Sequence, residues 1–131
     1  MDAAGWAMSG CYVYVMSCGA VGAVKIGIAA DVETRRRAVQ TGNPSLVRVA
    51  RRFGPWPREQ CRAVEAFAHA ALQDRQASGE WFFVGDGVAV YAIQSACDAI
   101  KDGMPLSDAR DHGEIWRAIF FDEMQKGSSG E

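Results

Sequence analysis

Tyr12-Val13-Tyr14-Val15, followed by Val24-Lys25-Ile26-Gly27, is the stretch that decides the fold. Both runs alternate. A strand's two-residue period places Val13, Val15, Val24, Ile26 and Ile28 on one face and Tyr12, Tyr14, Lys25 and Gly27 on the other. The glycines within Ser17 to Gly22 supply the turn, so strands near 11–17 and 23–28 form an antiparallel hairpin. The apolar face belongs in a core. The other face carries two phenols, an ammonium and a glycine where a merely solvated sheet favours Thr, Glu or Ser, and it is a candidate site.

Outward from the hairpin, Asp31 suits the N-cap of a helix over 32–41, with Val32 and Val39 inward and Arg35, Arg36 and Arg37 fanning around the axis. Thr41-Gly42-Asn43-Pro44 stops it, Gly42 fitting the left-handed C′ position. Leu46 to Phe53 alternates as a third strand, which Gly54-Pro55-Trp56-Pro57 breaks. A helix over 58–76 follows, opened by Pro57, and Glu65 and His69, four apart, share one of its faces. Trp81 to Val84 reads as a short buried strand or an extended tail; helices over 88–101 and 107–126 complete the chain. The expected class is α/β (α+β), a small three-stranded antiparallel sheet flanked by helices, with two extra C-terminal helices. The expected organisation is a leader over 1–9, a domain over 10–84, a helical extension over 85–126 packed on it, and a flexible tail over 127–131.

A chain of 131 residues buries roughly two thirds of its unfolded surface, enough for an ordinary core without disulfides or metal. No stretch approaches the ~18 apolar residues of a membrane span, and no basic n-region precedes an apolar run, so a cytoplasmic protein with no membrane partner is expected. Cys11, Cys18, Cys61 and Cys97 lack metal-ligand spacing and read as reduced thiols. The net charge of −2 hides an asymmetry: residues 1–62 carry +5 and the remainder −7. The basic half is almost all arginine, whose fork pairs two phosphate oxygens at once.

The order β-β-α-β-α, with Gly10-Cys11-Tyr12-Val13-Tyr14-Val15, Val24-Lys25-Ile26-Gly27, Asp31-Val32-Glu33-Thr34-Arg35, Thr41-Gly42-Asn43-Pro44, Glu65 with His69, and Gly79-Glu80-Trp81-Phe82, resembles the GIY-YIG nuclease superfamily. It looks closest to the short phage and bacterial branch with VKIG in place of YIG. The resemblance covers about residues 10–84. It implies a metal-dependent endonuclease that hydrolyses phosphodiester bonds in nucleic acid, DNA ahead of RNA, with one divalent cation, Mg²⁺ or Mn²⁺.

By that resemblance Tyr14 is the general base or proton relay for the attacking water, Arg35 clamps the scissile phosphate, and Glu65 binds the metal. A free phenol titrates near ~10, so a base at neutral pH needs a neighbouring positive charge, which Lys25 on the same face is placed to supply. Arg36 or Arg37 takes the place of Arg35 if the helix register is off by one. His69 either touches the leaving oxygen or orients Glu65, or else simply packs. Tyr12 is a second site tyrosine or packing, and Asn43 a substrate contact or a turn cap. Gly27 lets a substrate approach the sheet closely, or marks a bulge. Glu80 reaches the site or pairs with an arginine.

Lys25 departs from the family's pattern, which has tyrosine there. The alternative is a nuclease-like module without turnover that binds nucleic acid or an acidic protein. A third reading docks a partner, or a second copy in a homo-oligomer, through the helices bearing Trp116, Phe120 and Phe121. No helix-turn-helix or zinc finger is recognisable, so the sequence assigns no base specificity.

Overall fold

The computed structural model describes residues 10–129, with side chains through Asp122. The hairpin forms as its alternation demands: β1 (Cys11–Cys18) and β2 (Ala23–Ala29) pair antiparallel, with Tyr14 opposite Gly27 and Val15 opposite Ile26. Helix α1 (Val32–Thr41) follows, its first turn capped by Asp31 Oδ1, which accepts from the Thr34 amide at 3.0 Å. Strand β3 (Arg48–Trp56) pairs with the other edge of β1, and α2 (Arg58–Ala71) crosses the sheet. A 3₁₀ turn (Gln73–Arg75), β4 (Gln76–Ser78) and β5 (Trp81–Phe82) come next. Helix α3 (Asp86–Lys101), a 3₁₀ turn (Leu106–Asp108) and α4 (Ala109–Ser129) close the fold.

The class is mixed α and β, but the sheet has five antiparallel strands in the order β3-β1-β2-β5-β4, not three. The expected helix over 58–76 ends at Ala71 because the chain turns into the 3₁₀ segment and back along β5. Nor does Gly54-Pro55 end β3, as the sequence suggests. The strand continues to Trp56 through a register shift, Cys11 facing Trp56 while Val13 faces Phe53. A proline is tolerated there because β3 is an edge strand and the residue sits in a bulge. Gly42 is not left-handed (φ −93°). Instead, Gln40 ties down the exit of α1: its amide donates to the Asn43 and Ser45 carbonyls and its Oε1 accepts from the Val47 amide. The expected leader over 1–9 lies outside the described residues, and α4 runs on through residues 127–129, where a tail was expected.

The two sheet faces build two cores. Val13, Val15, Val24 and Ile26 pack under Val64, Phe67, Ala68 and Ala71 of α2 and Ala89, Ala92, Ile93 and Ala96 of α3. Each fully buried aliphatic side chain contributes about 1.5–3 kcal/mol, and this layer is the larger one. On the opposite face Tyr14, Met16 and Cys18 meet Val32 of α1 and Val47. Helix α4 lies flush on α2, since a β-carbon at Gly113 would run into the Phe67 carbonyl oxygen. Among the described residues no helix is long and apolar enough to cross a membrane.

Candidate active site

β2 is covered by β5 only at Val24 and Lys25. Beyond that point the edge of β2 is free to bind other groups: the Ile26 amide donates to the Glu80 carbonyl at 3.1 Å, and the Ile26 carbonyl accepts from His69 Nε2 at 2.8 Å. The chain reaches this position through Gly79, whose left-handed backbone (φ 56°) turns β4 into β5. Glu80 therefore folds around the sheet edge, and its Oε1 accepts from Lys25 Nζ at 3.0 Å.

Tyr14 stands on β1, across β2 from this edge, and Gly27 is what lets the two meet. A β-carbon on Gly27 would overlap the Tyr14 hydroxyl and stand 2.7 Å from its Cζ and 2.9 Å from Glu80 Oε1. The phenol is fully buried (0 % exposed), yet its hydroxyl has no hydrogen-bond partner. Burial pushes the phenol above its ordinary value, with Glu80 and Glu65 adding to the rise. Arg35 opposes the shift: its exposed guanidinium stabilises the phenolate, and is itself raised by Tyr14, although no hydrogen bond of ordinary geometry closes between them.

Glu65, half-buried on α2, approaches from the far side of the edge. Burial, then the charge of Glu80 and a hydrogen bond to it, push its carboxyl up to about 7, against the pull of Lys25 and Arg62. His69, one turn on, stands 3.9 Å from Glu65 Oε2 and edge-on to Phe82 at 5.0 Å. Glu65, His69 and Glu80 each offer a ligand atom within 4.8 Å of the others. A carbonyl only accepts, so His69 Nε2 carries the proton and is not free to hold a metal. The remaining donors are hard carboxylate oxygens beside an unpartnered hydroxyl, a set that fits Mg²⁺ or Mn²⁺.

The fold thus gathers Tyr14, Lys25, Gly27, Arg35, Glu65 and His69, brings in Glu80, which pairs with Lys25 and not with an arginine, and adds Arg62, which carries no motif spacing of its own. It does not gather the others. Arg36 bonds Glu33 and the Val47 carbonyl, Arg37 reaches Thr34 Oγ1, Tyr12 packs under the Arg52 guanidinium, and Asn43 caps its own turn through the Ser45 amide. Asn43 also rims an apolar groove of about 200 Å³ beside Trp81 and Phe83. Lys25 pairs with Glu80, so the positive charge facing the phenol is that of Arg35 and not, as expected, of Lys25.

Fold and site define a small α+β domain with a buried phenol, a guanidinium and a carboxylate pair converging at one sheet edge. The chain belongs to the T5orf172 domain family, whose model matches residues 11–101, from β1 to the end of α3. This corrects the resemblance drawn from the motifs: the family shown is a different one from the GIY-YIG nuclease superfamily. YVYV and VKIG are ordinary strand sequences, and their order alone did not discriminate. Comparison with curated proteins and with solved structures returned no match.

Proposed function

We propose that this domain hydrolyses phosphodiester bonds in nucleic acid, DNA before RNA, with the help of Mg²⁺ or Mn²⁺. One observation carries the reading: a fully buried phenol without a partner opens across a glycine onto Arg35 and two carboxylates. Phosphodiester hydrolysis asks little covalent work of a protein. It needs a placed water and an offset for charge building on the phosphate oxygens. Arg35 is exposed and supplies a fork able to hold two of those oxygens. Burial keeps the Tyr14 proton in place at neutral pH, so Tyr14 Oη serves first to orient the attacking water. Lys25 holds Glu80 in position, and His69 braces α2 against the Ile26 carbonyl beside Glu65. When bound, the cation supplies Lewis-acid stabilisation of the phosphate. A reducing, cytoplasmic setting suits four cysteines that are all free thiols.

The test is cleavage of plasmid and single-stranded DNA at low salt with Mg²⁺, Mn²⁺ or EDTA, beside a Glu65→Ala control. Cutting that needs metal and vanishes in the control is the expected result. Folded protein that binds DNA with strong salt dependence but never cuts would replace this reading with a binding module without turnover.

A further inference from the structure

The functional reading above places a cation beside two carboxylates, of which the sequence motifs assigned only Glu65 as a ligand. We propose that Glu80 is the second protein ligand of the same divalent cation, which would then tie α2 to the β4–β5 turn. This inference rests on that reading and extends it to a residue that the motif spacing leaves open.

Three independent features of the geometry support it. The ligand atoms of Glu65 and Glu80 stand within 4.8 Å of each other, although the residues come from a helix and from a turn fifteen positions later. The backbone of Glu80 is fixed from both sides, by the left-handed Gly79 before it and by its carbonyl's bond to the Ile26 amide, so its side chain is aimed before any ligand arrives. The Tyr14 hydroxyl, fully buried and unpartnered, converges with Glu80 Oε1 on the space that a β-carbon of Gly27 would fill. Buried hydroxyls are almost always paired, and one left open toward a carboxylate points to a ligand or its water shell.

The third member of the cluster does not compete. His69 Nε2 donates to Ile26, which leaves the histidine as a brace. Lys25 donates to Glu80 Oε1 and holds that carboxylate beside Glu65. Two carboxylates match a charge of +2. They also match Mg²⁺ chemistry, in which one or two protein carboxylates suffice and the other positions go to waters and substrate phosphate.

The experiment is a Mn²⁺ titration of the full chain without nucleic acid, following free Mn²⁺ by electron paramagnetic resonance. It compares the unaltered protein with Glu65→Gln, Glu80→Gln, Glu80→Asp and, as a control, Glu59→Gln on the exposed first turn of α2. Circular dichroism confirms that each variant is folded. One site is expected, weakened about tenfold or more by either Gln variant, less by Glu80→Asp, and unchanged by Glu59→Gln. If Glu80→Gln binds as the unaltered protein does while Glu65→Gln fails, the Glu80 ligand is overturned and the functional reading survives. If the unaltered protein binds no Mn²⁺, both fall. A site that needs both carboxylates in a protein that never cuts DNA would overturn the functional reading and leave the ligand assignment standing.

Discussion

Gly27→Ala isolates the close approach on which the site depends. The added methyl lands on the Tyr14 hydroxyl, 2.7 Å from Cζ and 2.9 Å from Glu80 Oε1. The ring cannot retreat, because Met16, Cys18, Val32 and Val47 surround it in the smaller core. Two effects compete. Removing a glycine stiffens the unfolded chain and stabilises by about 0.4–1 kcal/mol, whereas forcing a group into a packed site costs about 1–3 kcal/mol. Overpacking wins by roughly 1–2 kcal/mol, a fall in melting temperature on the order of 5 °C for a chain of this length. The second arm is Tyr14→Phe, which removes the unpartnered hydroxyl that the new methyl meets first. Alone it leaves stability unchanged or slightly raised, and combined with Gly27→Ala it recovers part of the loss, a coupling of about 1 kcal/mol. Differential scanning calorimetry on the four proteins closes the cycle. A Gly27→Ala protein that melts with the unaltered one, or a strictly additive cycle, would refute the packing argument, and every Tyr14 variant should abolish DNA cleavage.

The remaining predictions concern the charges around that approach. Glu65 is pushed up to about 7 from an ordinary 4.5, so the native state holds a proton that the unfolded chain releases. Its contribution is fully present below pH 4.5 and is lost as pH rises to 7. Urea unfolding in EDTA should show stability falling across that window by at most about 3 kcal/mol, and Glu65→Gln should flatten the slope. Arg35→Ala should reduce cleavage about a hundredfold or more at unchanged melting temperature, because its side chain is exposed and takes no part in packing. Arg36→Ala should do the reverse, costing up to about 1 kcal/mol through the lost Glu33 and Val47 contacts while leaving cleavage intact. His69→Ala leaves the Ile26 carbonyl without its donor, an expected loss of about 1–3 kcal/mol by thermal melting.

What the sequence made legible is what short-range periodicity controls. The alternation of β1 and β2 fixed both faces of the hairpin, and Asp31 marked the start of α1 to the residue. β4 escaped notice because Gln76, Ala77 and Ser78 are all exposed and alternate in nothing, and only pairing with β5 makes them a strand. β3 was cut short because a glycine-proline pair normally ends a ladder, whereas at a sheet edge a bulge absorbs it. Tyr14 and Gly27 stood out by type on the polar face of the hairpin, whereas Glu65 was singled out only through the resemblance. Glu80 was left between the site and an arginine partner, since a glutamate after a turn glycine looks like surface, and its meeting with Glu65 is a product of the tertiary fold. The alternation placed Lys25 on the face of Tyr14, but its partner Glu80 was out of reach of any local pattern.

The β4–β5 hairpin that delivers Glu80 is held by two residue pairs to β2, the Ile26 amide bond, the Phe83 amide bond to Arg75, the Lys25–Glu80 ion pair and one buried side chain, Phe82. Glu65 stands on a helix packed between the sheet and α4. The two carboxylates therefore live on different clocks. Amide hydrogens of Ile26 and Phe83 should exchange with solvent through local opening, well ahead of Val15 in the sheet centre, and divalent cation should slow them selectively. A cation held by both acids would then bind no longer than the hairpin that carries Glu80 stays seated.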